Sequence, residues 1–452
     1  MKKSMFFALA ASCLLFSACS SDDAVVSTEG QNEAVQQIVL QVASSGDGLT
    51  TRAGRPLYSS QALQTIQNVR VVIYNADTKE IVKDATQDWT KSTTYNNHGH
   101  GRQFTLTFKG NDRLEKGNYK VMAVGYSNES DYDYSLGATS AVGLTYSDIT
   151  ATLKAGKKEA EEVFAGDADL KIGDDKKITN LTSGEENGVA VTLHRQVAGS
   201  FGYFQNIPAS VNGKAAATLR LVVRDKNDVL TFNKFNSSFT ANGATGSTIK
   251  YYVNGSRSTG EALATTDKFS NGDNGYVLYS IDLKTWFPQL DENGDGVLNA
   301  QDASWKRPDN VKTQVVKGSV FGSNFVIPFK YTEGKSTMEL QLLDADGNII
   351  KHWTVSIPES DLNKVAANGV TDADASIFNV VRNHMYNLGV KTSTGTTTTP
   401  DPSNPTPDPK PDPKPTPDPG KDEPEDLTKS QNLILKVNDN WEVIHKMELG
   451  DE

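Results

Sequence analysis

The chain has 452 residues, of which 37% are hydrophobic, so it is long enough for two domains with cores of their own. Its 56 acidic residues outnumber its 45 lysines and arginines, which gives a formal net charge of −11. Nucleic-acid binding depends on a basic excess that neutralises phosphates, so this balance argues against a nucleic-acid partner.

Residues 1–18 have the pattern of an export signal. Lys2 and Lys3 precede the apolar run MFFALAASCLLFSA, which is too short to span a bilayer stably. The small residues before Cys19 resemble a bacterial lipobox, in which the cysteine is acylated (palmitate is the usual lipid) and becomes the first mature residue. The SSDD that follows resembles the acidic surface-export tag of Bacteroidota lipoproteins. We therefore predict a lipoprotein at the cell outer membrane. The alternative is an ordinary secretory signal in which Cys19 is incidental.

The other cysteine, Cys13, lies inside the predicted signal, so the mature chain has no pair of cysteines to form a disulfide. Beyond the signal, short β-like segments with alternating apolar residues dominate, and turn residues separate them. Helical patterns are few and short. The pattern predicts an all-β fold of two tandem β-sandwich domains with transthyretin-like or Greek-key topology.

The predicted boundaries follow from composition. They are a lipidated propeptide with a cleavable strand (19–55), an N-terminal sandwich (56–188), a C-terminal sandwich (189–393), a Pro-rich linker (394–428) and a C-terminal donor strand (429–452). Eleven of the 17 prolines lie in the linker, between residues 400 and 424. Such a segment extends by about 3.1 Å per residue, so its twenty residues 400–419 would span about 60 Å.

The C-terminal segment alternates strictly over a long stretch. On one face, seven of the nine residues from 433 to 449 are apolar, and the predicted donor residues are Leu433, Leu435, Val437, Trp441 and Val443. A strand with one apolar face needs a sheet to join. The alternatives are its own domain, as a normal edge strand, or the sheet of another molecule.

A second segment near the N-terminus has the same pattern. IVLQV (38–42) and LILKV (433–437) both consist of two aliphatic residues, a leucine, a polar residue and a valine. After the first copy, Arg52 and Arg55 lie among small residues, as in a protease-sensitive loop. We hypothesise that a protease cuts after Arg52 or Arg55, that the first strand leaves with its lipid, and that the tail of another copy fills the vacated groove by β-augmentation. Such head-to-tail contacts build an open filament.

Several segments together resemble the Bacteroidota fimbrillins, the type V pilins of major and minor fimbriae. They are the lipobox, the strand before an arginine, EEVFAG (161–166), VTLHRQVAGSFGYFQNIP (191–208), NHMYNLGV (383–390) and the apolar tail with Trp441. The resemblance implies two β-sandwich domains, lipoprotein export, Arg-specific maturation and polymerisation by donated strands with copies of itself and related pilins. The Pro-rich insert looks most like the minor (short) fimbria branch. A cleavable strand and a tail together favour a shaft subunit over an anchor or a tip.

One short motif predicts a metal site. Oxygen donors occupy positions 1, 3, 5, 9 and 12 of an EF-hand-type loop, position 6 is glycine, and the position-7 carbonyl completes the set, which comprises Asp291, Asn293, Asp295, Val297, Asn299 and Asp302. The loop resembles a single dockerin loop and would bind Ca²⁺. The alternative is an acidic turn without metal.

Other chemistry is less well supported. The pair His98 and His100 in a Gly/Asn-rich loop is more typical of a solvated turn than of a metal site. No nucleotide-binding, serine-hydrolase or zinc-protease motif occurs, so we expect no enzyme, although a carboxylate pair formed only in the fold stays open. The main alternative to a pilin is a surface glycan-binding lipoprotein, with Trp89, Trp286 and Trp305 as sugar platforms.

Overall fold

In the computed structural model, the described residues are 35–42, 66–95, 101–137, 139–157, 160–183, 190–224, 226–232, 254–258, 267–311, 315–330, 338–356, 379–380, 382, 385–389, 422–429, 432–434 and 436–438. These residues form an all-β structure, as predicted. Its helical elements are α1 (Leu283–Trp286) and two 3₁₀ turns, Trp89–Lys91 and Gly110–Asp112.

The strands of the N-terminal half are β1 (Gln36–Val42), β2 (Asn68–Asn75), β3 (Ile81–Asp88), β4 (Thr93–Tyr95), β5 (Gly101–Phe108), β6 (Gly117–Tyr126), β7 (Tyr132–Tyr134), β8 (Ile149–Leu153), β9 (Phe164–Ile172), β10 (Ile178–Ser183) and β11 (Ala190–Arg195).

The strands that follow are β12 (Ala198–Gln205), β13 (Ile207–Pro208), β14 (Ser210–Val211), β15 (Lys214–Ala215), β16 (Thr218–Val223), β17 (Val229–Phe232), β18 (Gly255–Ser256), β19 (Asp267–Lys268), β20 (Asn274–Asp282), β21 (Val297–Leu298), β22 (Ser319–Val326), β23 (Phe329–Lys330), β24 (Met338–Leu343), β25 (Ile349–Ser356), β26 (Asn379–Val380), β27 (Met385–Leu388), β28 (Glu425–Asp426), β29 (Asn432–Ile434) and β30 (Lys436–Asn438).

The first sheet has nine strands in the order β3-β2-β6-β9-β11-β1-β5-β4, with β10 also paired to β9. Its two halves face each other across one core, in which Val71 and Ile73 of β2 join Ile38 and Leu40 of β1. The opposite face of β2 is buried as well, with Val72 and Tyr74 in a second core. Burial on both faces explains why NVRVVIYN departs from simple alternation towards a continuous apolar run.

The second core lies under a four-stranded sheet of order β18-β17-β8-β7. Strand β17 pairs antiparallel with β8, from Val229↔Thr152 to Phe232↔Ile149, although it follows the predicted domain boundary by some forty residues. Strand β11 also follows that boundary at residue 188 and completes the first sheet. The first sandwich therefore extends to Arg195 and recruits β17 and β18 from the second half, so the two units interlock and are not simply consecutive.

The C-terminal sandwich encloses the third core between two sheets. One has the order β22-β12-β27-β30, with β28 also on β12, and the other has the order β19-β20-β16-β24-β25-β29. Strands β24 and β25 form a hairpin that turns at Asp346-Gly347, and Gly347 adopts the positive φ of 82° that its turn requires. Within the described ranges, no helix is long and apolar enough to cross a membrane.

Candidate strand-exchange site

Strand β1 lies inside the first sheet, not at its edge. It pairs antiparallel with β5 along its whole length, from Gln36↔Phe108 to Val42↔Arg102. On its other side it pairs parallel with β11, from Val39↔Ala190 to Val42↔Leu193. Removal of β1 would therefore open a groove with two unpaired strand edges, β5 and β11.

The inward face of β1 is fully buried. Ile38 and Leu40 are both 0% exposed, whereas Val39 and Gln41 on the other face are half-buried. Burial of each aliphatic side chain contributes about 1.5–3 kcal/mol, so a groove without β1 would be strongly unfavourable in water. The prediction of a strand at IVLQV (38–42) is confirmed, and its removal would expose an apolar groove.

A third inward residue of β1, Gln36, is polar and 1% exposed. Its Nε2 donates to the carbonyls of Leu114 (2.9 Å) and Lys176 (2.7 Å), and its Oε1 accepts from the Leu114 amide (2.7 Å). One side chain thereby serves three main-chain groups of the loops after β5 and β9. Sequence reasoning missed this residue, although its place two residues before Ile38 puts it on the inward face.

The wall of the groove beside β11 is braced by a buried ion pair. Arg195, the last residue of β11, contacts Oε1 of Glu162 through Nε (2.9 Å) and Nη2 (2.6 Å), and both side chains are at most 3% exposed. The guanidinium also lies over the Phe164 ring, 5.1 Å from its centroid. Close by, a Cβ on Gly166 would lie 1.9 Å from the Thr192 carbonyl oxygen, so only glycine fits there. These contacts give the EEVFAG and HRQ segments structural roles.

The segment before the tail is anchored to the chain's own C-terminal sandwich. Strand β28 pairs parallel with β12, and Leu427 is 0% exposed in the core. Tyr203 Oη donates to Asp422 Oδ2 (2.9 Å), and Asn206 Nδ2 donates to Asp426 Oδ2 (2.8 Å). Burial alone would raise the pKa of Asp426, yet hydrogen bonds from Thr428, Lys429 and Asn206 hold it at about 2. The prediction of a linker running to residue 428 is corrected, because residues 422–429 pack against the fold.

The tail itself also returns to its own domain. Strand β29 pairs parallel with β25 (Val355↔Leu433), and β30 pairs antiparallel with β27 (Tyr386↔Val437), so residues 432–434 add a strand to one sheet and residues 436–438 add a strand to the other. Leu433 is 1% exposed in the core. The intramolecular alternative is therefore the arrangement within a single chain. The remaining predicted donor residues, Leu435, Trp441 and Val443, lie outside the described residues.

The predicted processing residues Cys19, Arg52 and Arg55 also lie outside the described residues, as do His98 and His100. The three tryptophans considered as sugar platforms, Trp89, Trp286 and Trp305, pack against cores of the described part of the chain. Trp89 and Trp286 are 3% and 2% exposed. Trp305 packs partly buried against the same core as Trp286, and its Nε1 donates to the Ser319 carbonyl (2.9 Å).

The predicted calcium loop is folded by its own hydrogen bonds. The Gly296 amide donates to Asp291 Oδ2 (3.0 Å), and the Val297 amide donates to Asp295 Oδ1 (2.8 Å). Asp302 is 0% exposed and accepts from the main-chain amides of Glu292 (3.0 Å) and Asn299 (2.8 Å), which ties the two ends of the loop together.

The six predicted calcium donors have some features of a metal site and lack others. Oδ1 of Asp291 is buried without a hydrogen-bond partner, as a ligand position would be. Hydrogen bonds from Asn299 and the Val297 amide lower the pKa of Asp295, so it is ionised at neutral pH. Among the described residues, however, no group of three or more His, Cys, Asp or Glu side chains is arranged to hold a metal ion. Calcium binding stays a prediction.

Comparison with known proteins gives similarity of structure only. No protein-family model matches the chain, and no curated protein matches it. Among solved structures, a fimbrial assembly protein of Parabacteroides distasonis is 13% identical with a TM-score of 0.32, covering 80% of this chain and 92% of that one. The tip fimbrial protein Mfa3 of Porphyromonas gingivalis, with a C-terminal truncation, is 9% identical with a TM-score of 0.33, covering 79% and 94%. These sequence identities and TM-scores are low, so no function is transferred from these proteins to this chain.

Proposed function

We propose that the chain is a structural subunit, a shaft pilin, of a cell-surface fimbria that polymerises by strand exchange and supports adhesion. The observation that carries this proposal is β1, a short central strand whose two neighbours, β5 and β11, both belong to the part of the chain that follows it. The strand precedes Arg52 and Arg55, and a tail at the other end of the chain has its pattern.

The proposed maturation has three steps. The chain is exported as a lipoprotein and held at the outer membrane through Cys19. An Arg-specific protease then cuts after Arg52 or Arg55, and β1 leaves with the lipid. The empty groove receives the tail of another copy or of a related pilin, which regains the buried apolar contacts and the main-chain hydrogen bonds of β1. No step needs enzymatic chemistry by the chain itself.

The tail's own position fits a two-state role. Residues 432–434 and 436–438 cover edges of their own sandwich in the single chain, and Leu433 is buried there before assembly. On polymerisation the tail would leave the edge of its own sandwich and take a central position between two strands of the neighbouring subunit. An anchor would keep its first strand and a tip would need no donor tail, so these are the alternatives within the same proposal. A surface glycan-binding lipoprotein is the alternative outside it, and the burial of Trp89 and Trp286 speaks against these two as sugar platforms.

The direct test treats the purified full-length chain with an Arg-specific protease. Cleaved chain should form ladders of SDS-resistant oligomers, because each donated strand is held by a full set of main-chain hydrogen bonds. A chain that lacks residues 429–452 should be cleaved equally and stay monomeric, and the double variant Arg52→Ala/Arg55→Ala should stay uncleaved and monomeric. Ladders from the truncated chain would refute polymerisation by the tail.

For the loop at 291–302 we propose Ca²⁺ as the ligand, with Asp291, Asn293, Asp295, the Val297 carbonyl, Asn299 and Asp302 as donors. The aspartate at position 12 is shorter than the usual glutamate, so binding should be weaker than in EF-hands with a bidentate glutamate. Calorimetric titration of Ca²⁺ should give heat with the wild type and none with Asp295→Ala. Titration of Mg²⁺ is the control, and a wild type that gives no heat with Ca²⁺ would end the proposal.

A further inference from the structure

We infer that Gln431 sets the register of the donated strand by taking the place of Gln36 in the groove, and that the strand enters in the direction of β1. This inference rests on the proposed strand exchange. It adds a polar residue that specifies one alignment out of several that the apolar pattern alone would allow.

The need for such a residue follows from the groove. When β1 leaves, the amide and carbonyl of Leu114 and the carbonyl of Lys176 lose the side chain that pairs with them. Gln36 is 1% exposed, so these groups face a closed pocket in which an apolar replacement would leave them unpaired. A primary amide supplies the two donors and one acceptor that the pocket uses. The incoming strand should therefore carry an amide at this position.

The tail provides that amide in one alignment only. QQIVLQV (36–42) and QNLILKV (431–437) align without a gap, with identity at Gln36/Gln431, Leu40/Leu435 and Val42/Val437. A shift of two residues would keep the same face of the tail inward. It would, however, place Leu433 or Lys429 in the pocket that Gln36 fills. Entry in the opposite direction would put Gln431 at the far end of the groove. The amide therefore makes both a shifted register and the opposite strand direction less stable, whereas the aliphatic residues alone would allow them.

The same alignment sets how close two subunits lie. Leu427 is fixed in the core of the donor subunit, and Gln431 follows it by four residues. Four extended residues span about 13 Å, so the pocket formed by the Leu114 and Lys176 loops of the acceptor must lie within that distance of the donor's β28 segment. The joint between subunits is therefore short, although a long Pro-rich segment precedes it.

The test traps the register with engineered disulfides in the cleaved full-length chain. Both native cysteines precede Arg52, so the matured chain has no other thiol. Val39 pairs with Thr105 in β5, so Ile434→Cys in the donor should meet Thr105→Cys in the acceptor. Gln103→Cys and Thr107→Cys, which pair with Gln41 and Gln37, report shifts of two residues in either direction. Directly opposed residues in an antiparallel pair are close enough to form the bond.

Oxidation of mixed samples should give inter-chain disulfides with Thr105→Cys in at least about tenfold excess over the other two positions, the preference expected from one buried unpaired polar group. Adding Gln431→Leu to the donor should spread the product over the three positions. Asn432→Leu is the matched control, because its counterpart Gln37 is exposed, and it should keep the preference. Equal yields at the three positions, or a preference unchanged by Gln431→Leu, would overturn the register while leaving strand exchange intact. No inter-chain product at any position would overturn both.

Discussion

The substitution Leu40→Ala should lower the free energy of unfolding of the uncleaved N-terminal unit by about 2–5 kcal/mol. Leu40 is 0% exposed and packs in the core shared by β1, β2 and β6, so truncation removes apolar contacts and leaves a cavity that the surrounding strands fill only in part. Chemical denaturation of the intact chain, followed by fluorescence of the buried Trp89 in the same core, measures the effect.

The matched control is Val39→Ala, one residue away on the half-buried face of the same strand. Its cost should stay below about 1 kcal/mol, because a single partly exposed aliphatic side chain loses little burial. Equal losses for the two variants would mean that β1 is held by its main-chain pairing alone and that the inward pocket does not select the strand. That outcome would also weaken the case for a tail with matching aliphatic residues.

In the proposed assembly, the instability of the empty groove would supply the driving force for polymerisation. Loss of the whole strand removes Ile38, Leu40 and the Gln36 hydrogen bonds together, so the matured chain is less stable than its precursor until another strand enters. Under this proposal the precursor folds completely before it assembles, and cleavage is the step that makes assembly favourable. In the precursor the tail lies against its own sandwich, so neither partner of the joint is exposed early.

Local periodicity predicted the elements well and their long-range partners poorly. The apolar pattern of IVLQV identified β1, because one face of the strand is inward and the side-chain period is two. The pairing of β1 with β11 and of β8 with β17 joins segments far apart in the chain, and no local pattern encodes such a partner. For the same reason the boundary expected at residue 188 was placed too early.

In the candidate strand-exchange site, too, some residues were predictable from local periodicity and others were not. Its apolar members were predictable from alternation, whereas Gln36 was not, because a glutamine in an inward position looks like an error in the pattern until its three main-chain partners are seen. The anchor at Leu427 was hidden by composition, since one leucine after eleven prolines carries no periodicity. Gln36 and Leu427 both act through contacts with residues distant in sequence. In the proposed assembly, the first sets the register of the donated strand and the second fixes where the tail begins.

The substitution Glu162→Gln should destabilise the uncleaved chain by about 3–5 kcal/mol, because it removes the buried carboxylate that Nε and Nη2 of Arg195 contact. Both side chains are at most 3% exposed, and Arg195 ends the strand that forms one wall of the groove. Asp174→Asn is the control, since its ion pair with Lys116 is exposed and such pairs contribute about 0–1 kcal/mol. The double variant Glu162→Gln/Arg195→Met should recover part of the loss by removing the buried guanidinium charge as well. A cost for Glu162→Gln no larger than that of Asp174→Asn would show that β11 is held by packing alone, and the groove would then keep its shape without the ion pair.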